Sequence, residues 1–195
     1  MKLYITRNSP FARIARVALI DAGLADRTEV ITVQTRKPDS EFFKISPLAR
    51  VPVLALGNDL IADTADACAC FDYLTKSQQF FPPESAFQRS LRNIASGFLD
   101  GVAVTLRENA RPPGECSPSV KSYEAGRALT ALAWLDKRFQ PGAWDFTAIT
   151  LAVAIDIAAR RGIDSNWAET APALTTWANT AALRPSMQET VPGPA

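Results

Sequence analysis

Residues 1–34 constrain the fold more than any other stretch of the chain. Leu3 to Thr6 is a short apolar run, apt for a buried strand. Arg7-Asn8-Ser9-Pro10-Phe11 follows. Ser9 before Pro10 is a helix start: a serine side chain accepts from orphan backbone N–H groups, and proline is tolerated at the first helical position. Phe11, Ile14, Ala15, Ala18, Leu19 and Ala22 recur at helical spacing, and Gly23 with Leu24 beyond it supplies a C-terminal stop. Glu29 to Gln34 alternates and is rich in β-branched residues, so it reads as a second strand. A strand-helix-strand crossover favours parallel pairing of the two strands.

The next segments extend that unit. Arg36 to Asp39 is a charged loop, Ser40 to Ile45 a short helix, and Val51 to Leu56 a third strand. Gly57-Asn58 is a hairpin turn, Asp59 to Ala62 the returning strand, and Asp63-Thr64 opens a helix reaching about Lys76. The order β-α-β-(α)-β-β-α is that of a thioredoxin-like domain over residues 1–78. Phe80-Phe81-Pro82-Pro83 reads as a linker, and residues 84–195 carry only helical patterns, so an all-helical domain is expected there. Gly97 and Gly101 weaken the middle of its first helix. Thr147 to Arg161 is nearly all apolar and reads as its central helix, capped by Gly162; Pro172 to Leu183 is the last helix, and 191–195 a loose tail.

Composition removes several chemistries. The chain has no histidine, which excludes histidine-activated nucleophiles, histidine metal ligands and histidine proton relays. Three cysteines give no disulfide framework and fit a reducing compartment. A net charge of +1 argues against a dedicated nucleic-acid binder, and no apolar run approaches a membrane span. A cytoplasmic location is expected, because the N-terminus turns polar at once and does not read as a signal peptide.

Four stretches together resemble the cytosolic glutathione transferase superfamily, of the bacterial glutathione S-transferase type, over nearly the whole chain. Ser9-Pro10-Phe11-Ala12-Arg13 is similar to its "SPF/Y-x-R" segment, and Ser46 to Leu54 (SPLARVPVL) to its "NPLGKVPVL" segment. Asp63-Thr64 resembles its acidic-plus-hydroxyl pair, with Asp66-Ala67 as a rival alignment lacking the hydroxyl. Pro172 to Ser186 resembles the "P-x-L-x-x-W…RPS" ending. Ser46 and Ala49 depart from the usual Asn and Gly. The family's Ser/Thr-x-x-Asp cap at the central helix is met by Thr147 but not by Thr150.

The resemblance implies a glutathione site. Ser9 would hydrogen-bond the glutathione sulfur, with Asn8 and Thr6 as stand-ins. This agrees with elementary chemistry: the thiolate is the nucleophile, and a donor hydroxyl at the positive end of a helix favours it. Ser9 is also a plain helix cap, and the two roles can coincide. Val51-Pro52 resembles the family's cis-proline step, presenting the Val51 backbone to the cysteinyl part of the tripeptide like an added strand. Thr64 and neighbouring N–H groups would hold the γ-glutamyl carboxylate, with Asp63 assisting its ammonium; a capping pair without ligand is the plainer alternative. Arg36, Lys37 and Arg50 are candidates for the glycyl carboxylate, or surface charge. Phe11 is counted with the glutathione contacts, and with Leu106, Arg107 and Trp167 as a border of an electrophile pocket, core packing being the alternative. Cys68 and Cys70 read as small buried helix residues.

The implied function is a glutathione S-transferase of detoxification type. It would be a homodimer that conjugates a Ser9-stabilised thiolate to a small hydrophobic electrophile, glutathione being co-substrate and no metal, nucleic acid or membrane taking part. The alternatives are a non-catalytic binding protein of the same fold, or a glutathione-dependent isomerase, dehalogenase or ether-cleaving enzyme.

Overall fold

The computed structural model describes residues 1–194. Internal contacts divide them into two compact units, one formed by residues 1–82 with the segment from Pro185 onward, the other by Pro83–Arg184.

The first unit holds a four-stranded sheet of β1 (Lys2–Ile5), β2 (Glu29–Thr32), β3 (Val53–Leu56) and β4 (Asp59–Ile61), in the order β2-β1-β3-β4. β1 and β2 are parallel, as a crossover through a helix allows; β3 runs antiparallel to β1 and to β4. The crossover is α1 (Pro10–Asp21). It stops where Gly23 takes φ 67°: the Gly23 N–H reaches the Ile20 carbonyl at 2.9 Å and the Leu24 N–H the Leu19 carbonyl at 3.1 Å, and Leu24 is buried beneath them. The segment at 40–45 is a single 3-10 turn, Glu41–Lys44, that buries Phe42 against Tyr4, with ring centroids 5.6 Å apart. Alternation along the strands places Tyr4, Val53 and Ala55 in one cluster with Phe42, and the buried Leu3, Ile5 and Leu54 on the opposite face. α2 (Thr64–Thr75) packs on α1 and β3.

Ala49 stands where the resembled segment carries glycine. Its φ is 44°, in the left-handed region that costs an L-residue about 1–2 kcal/mol. Ala49→Gly removes that cost against about 0.5–1 kcal/mol of added chain entropy. A net gain of about 0.5–1 kcal/mol is expected in urea unfolding, with an unchanged m-value.

The second unit is helical: α3 (Ala86–Asn109), α4 (Pro118–Asp136), α5 (Phe146–Arg160), α6 (Trp167–Thr170) and α7 (Pro172–Ala181). α5 is its centre, with Phe146 to Ile155, Ile157 and Ala158 all buried. α3 runs unbroken through Gly97 and Gly101. Gly101 has a reason to be bare: a Cβ there would lie 2.6 Å from Glu124 Oε2 and 2.9 Å from Arg127 Nη2. The α5 cap differs from the sequence expectation. Asp145, not Thr147, precedes the first turn and accepts the Ala148 N–H at 2.9 Å, while the Thr150 hydroxyl donates to the Phe146 carbonyl. The helix therefore starts one residue earlier than Thr147, with a carboxylate cap in place of a hydroxyl.

α8 (Pro185–Glu189) belongs to the first unit, although the sequence reading ran the helical domain to residue 195. It packs on α1. The Arg13 side chain, only 2% exposed, donates to the Met187 carbonyl at 3.2 Å and the Thr190 hydroxyl at 3.4 Å. Arg16 reaches the Glu189 and Thr190 carbonyls, and the Ser186 hydroxyl donates to Asp21. The last carbonyls of a helix carry partial negative charge, so two guanidinium groups suit them. Residues 191–194, expected to be loose, end in a contact: Asn8 Nδ2 donates to the Pro194 carbonyl at 3.2 Å. Ala195 lies outside the described residues. No helix among the described residues is long and apolar enough to cross a membrane.

Candidate functional site

The sheet register gathers the chain segments that carry the candidates. Ile5 pairs with Thr32, Tyr4 with Val53, and Leu54 with Ile61. The exits of β1, β2 and β4 and the entry to β3 therefore lie at one end of the sheet. Ser9 and Phe11 follow β1, Arg36 and Lys37 follow β2, Arg50-Val51-Pro52 precedes β3, and Asp63-Thr64 follows β4.

Ser9 is the N-cap of α1. Its Oγ accepts the Ala12 N–H at 3.2 Å, and its own N–H donates to the Thr6 carbonyl at 3.3 Å. A hydroxyl has two acceptor lone pairs and one donor proton, so capping through a lone pair leaves the O–H to donate elsewhere. Asn8, one of the stand-ins, has its amide committed to Pro194. Phe11 is half-buried.

The Val51–Pro52 peptide bond is cis. Val51 lies two residues before the last ladder pair of β3 with β1 and three before that with β4, so it stands outside both ladders, half-buried beside the buried Pro52. Arg50 is exposed.

Asp63 is the N-cap of α2. One carboxylate oxygen accepts two N–H groups, those of Ala65 at 2.7 Å and Asp66 at 3.1 Å. Thr64 is the first helical residue and is 9% exposed. The helix begins at the Asp63-Thr64 pair, while the rival Asp66-Ala67 lies within the first turn, where Ala67 is fully buried. Arg36 and Lys37 are exposed in the loop after β2, where the Ser40 hydroxyl donates to the Gln34 carbonyl and Arg36 takes φ 64°.

The cysteines stay out of this chemistry. Burial, with Asp72 and Asp63 adding to it, pushes the Cys68 thiol up, and burial raises Cys70 as well. Both are held as thiols rather than thiolates. Trp167 is buried against Phe98, with ring centroids 5.2 Å apart, as a core residue of the helical unit; Leu106 is half-buried and Arg107 exposed. Two hollows of that unit, of about 180 and 220 Å³, include neither Leu106 nor Arg107 in their walls, and Trp167 lines the second.

Two anchors of the first unit escaped the sequence reading. Asp72, near the end of α2, is 7% exposed and gathers the Ser77 hydroxyl and the N–H groups of Gln79, Phe80 and Phe81. Arg13 stands in the sequence only as part of a motif, and its side chain donates to Met187 and Thr190, 174 and 177 residues away. A lone buried cation on the apolar face of a helix is the one local signal that it needs distant acceptors.

Residues 8–74 match the family model described as glutathione S-transferase, N-terminal domain. The GST-like protein YibF of Escherichia coli (strain K12), described as uncharacterized, is 24% identical over 98% of both chains. A glutathione transferase family member from Pseudomonas fluorescens Pf-5, solved with bound glutathione, is 25% identical over 99% of each chain with a TM-score of 0.83. Gtt2 from Saccharomyces cerevisiae has the same fold, with a TM-score of 0.83 at 20% identity over 98% of this chain and all of its own. With a thioredoxin-like sheet, a helical second unit and a matched N-terminal domain model over residues 8–74, the chain has the fold of the glutathione transferases and is similar to that superfamily.

Proposed function

We propose that this protein binds glutathione at the Ser9 end of the sheet and conjugates its thiolate to small hydrophobic electrophiles. The observation that carries the reading is the convergence of two helix N-termini, those of α1 and α2, with the free backbone of Val51 at one end of one sheet. Helix N-termini favour anions, and glutathione offers a thiolate and carboxylates. Ser9 donates its O–H to the sulfur while its lone pair caps α1. Thr64 takes the γ-glutamyl carboxylate, and the Asp63 oxygen not used in capping takes the ammonium. Val51 pairs with the cysteinyl backbone, and Arg36, Lys37 and Arg50 are the cations within reach in sequence for the glycyl carboxylate. Phe11 borders the sulfur. In this reading the enzyme is a cytoplasmic homodimer with a detoxifying role, as the resemblance to glutathione transferases suggests.

Titration calorimetry with glutathione and a panel of electrophiles tests the proposal. Binding with conjugate formation is expected. Binding without turnover across the panel would leave a binding protein, and return of unconsumed glutathione would point to an isomerase. Ser9→Ala is expected to raise the pKa of the bound thiol by about 1–2 units, since a hydrogen bond to a charged group contributes about 1.5–3 kcal/mol. Near neutral pH the conjugation rate then falls roughly 10- to 100-fold. Ser9→Thr keeps the hydroxyl and should restore most of it. Full activity in Ser9→Ala would remove the assigned role.

A further inference from the structure

The residues just before Ser9 are tied to the other end of the chain. Asn8 Nδ2 donates to the Pro194 carbonyl, and a Cβ on Gly193 would stand 3.5 Å from Asn8 Oδ1. Four residues earlier, Thr190 is fully buried, its carbonyl and hydroxyl accepting from Arg16 and Arg13. The segment therefore leaves α1 at Arg13 and Arg16 and reaches Asn8, the residue preceding the N-cap Ser9. Pro192 and Pro194 each fix one backbone angle, so the span is short and stiff. The loop that delivers Ser9 is held on one side by the Ser9–Thr6 backbone bond and on the other by this segment.

We infer that residues 191–194 act as a strap that positions the Ser9 hydroxyl, with Asn8 as its clasp. Asn8 is a positioning residue: it acts on the thiol only through its neighbour. The consequence for catalysis rests on the proposed thiol-contacting role of Ser9, whereas the positional claim does not.

The unaltered protein and three variants, Asn8→Ala, a truncation after Gly193, and the two combined, test it. The ligand-free readout is amide hydrogen exchange at Ala12, whose N–H donates to Ser9 Oγ and so reports where that hydroxyl sits. Each single variant should speed Ala12 exchange by roughly three- to tenfold, the scale of one hydrogen bond. The combined variant should add nothing further, because both changes break one link. Val17 and Leu19, deeper in α1, should keep their rates. Unchanged exchange at Ala12, equal acceleration along all of α1, or additive effects would each overturn the strap.

The second readout is the pH dependence of thiolate absorbance with glutathione bound. A raised thiol pKa in Asn8→Ala, with little change in melting temperature, is expected. If the unaltered protein binds no glutathione, the proposed function fails, and the strap is still decided by Ala12.

Discussion

Removal of the segment from Pro185 onward should unfold the N-terminal unit at room temperature. Arg13 is 2% exposed and gives hydrogen bonds to the Met187 carbonyl and the Thr190 hydroxyl. Stripping partners from a buried charge costs about 3–5 kcal/mol. Met187, fully buried, contributes about another 1.5–3 kcal/mol. Together these approach the whole stability of a small domain, about 5–15 kcal/mol. Loss of slow amide exchange throughout β1 and α1 is the expected result. Arg13→Met separates the causes: it roughly keeps the volume and removes the charge, so the Met187 and Thr190 acceptors lose a donor, for about 1–3 kcal/mol in urea unfolding. A deletion protein with native protection in β1 would show that α8 is an accessory.

Asp72→Ala should cost about 3–5 kcal/mol, more than Arg13→Met. Oδ1 accepts the Ser77 hydroxyl at 2.8 Å and the N–H groups of Gln79 at 3.0 Å and Phe80 at 3.2 Å; Oδ2 accepts those of Phe80 at 3.0 Å and Phe81 at 2.9 Å. Phe80 is itself 2% exposed, so its N–H has little access to water. Lys76 closes the helix at φ 55° without a glycine, so the turn depends on the carboxylate rather than on intrinsic preference. Asp72→Asn keeps the shape but turns an NH2 group toward backbone donors, so it should recover only part of the loss, leaving about 2 kcal/mol. Equilibrium urea unfolding reads both. Equal stability of Asp72→Asn and the unaltered protein would show that the charge contributes nothing.

Local signals carried the first unit. Ser9-Pro10 and Gly23-Leu24 mark α1 because capping chemistry is written within a few residues, and the β-branched alternation at 29–34 marks β2. The gathering of Ser9, Val51-Pro52 and Asp63-Thr64 at one end of the sheet depends on the pairing of β1 with β3 and of β3 with β4, and in the sequence it is implied only by the resemblance. Other features were hidden for the same physical reason in reverse. The α5 cap was read at Thr147 because a hydroxyl and a carboxylate both cap well, and only the backbone shows that Asp145 takes the position. The short helices α6 and α8 have too few turns to show a period. Arg13, Arg16 and Asn8 meet partners 173 to 186 residues away, and no pattern within one segment encodes that distance.

The return of α8 to the first unit also sets an order of events during synthesis. Arg13 is made 174 residues before Met187. At the usual elongation rate of about 5–20 residues per second, that interval is roughly 10–35 s. Throughout it the sheet and α1 exist as nascent chain with a guanidinium group that has yet to meet the Met187 carbonyl and the Thr190 hydroxyl, while the helical unit, contiguous from Pro83 to Arg184, is completed in between. The unit that emerges first is therefore the one that closes last, and until then it is the part of the newborn chain most open to chaperones and proteases.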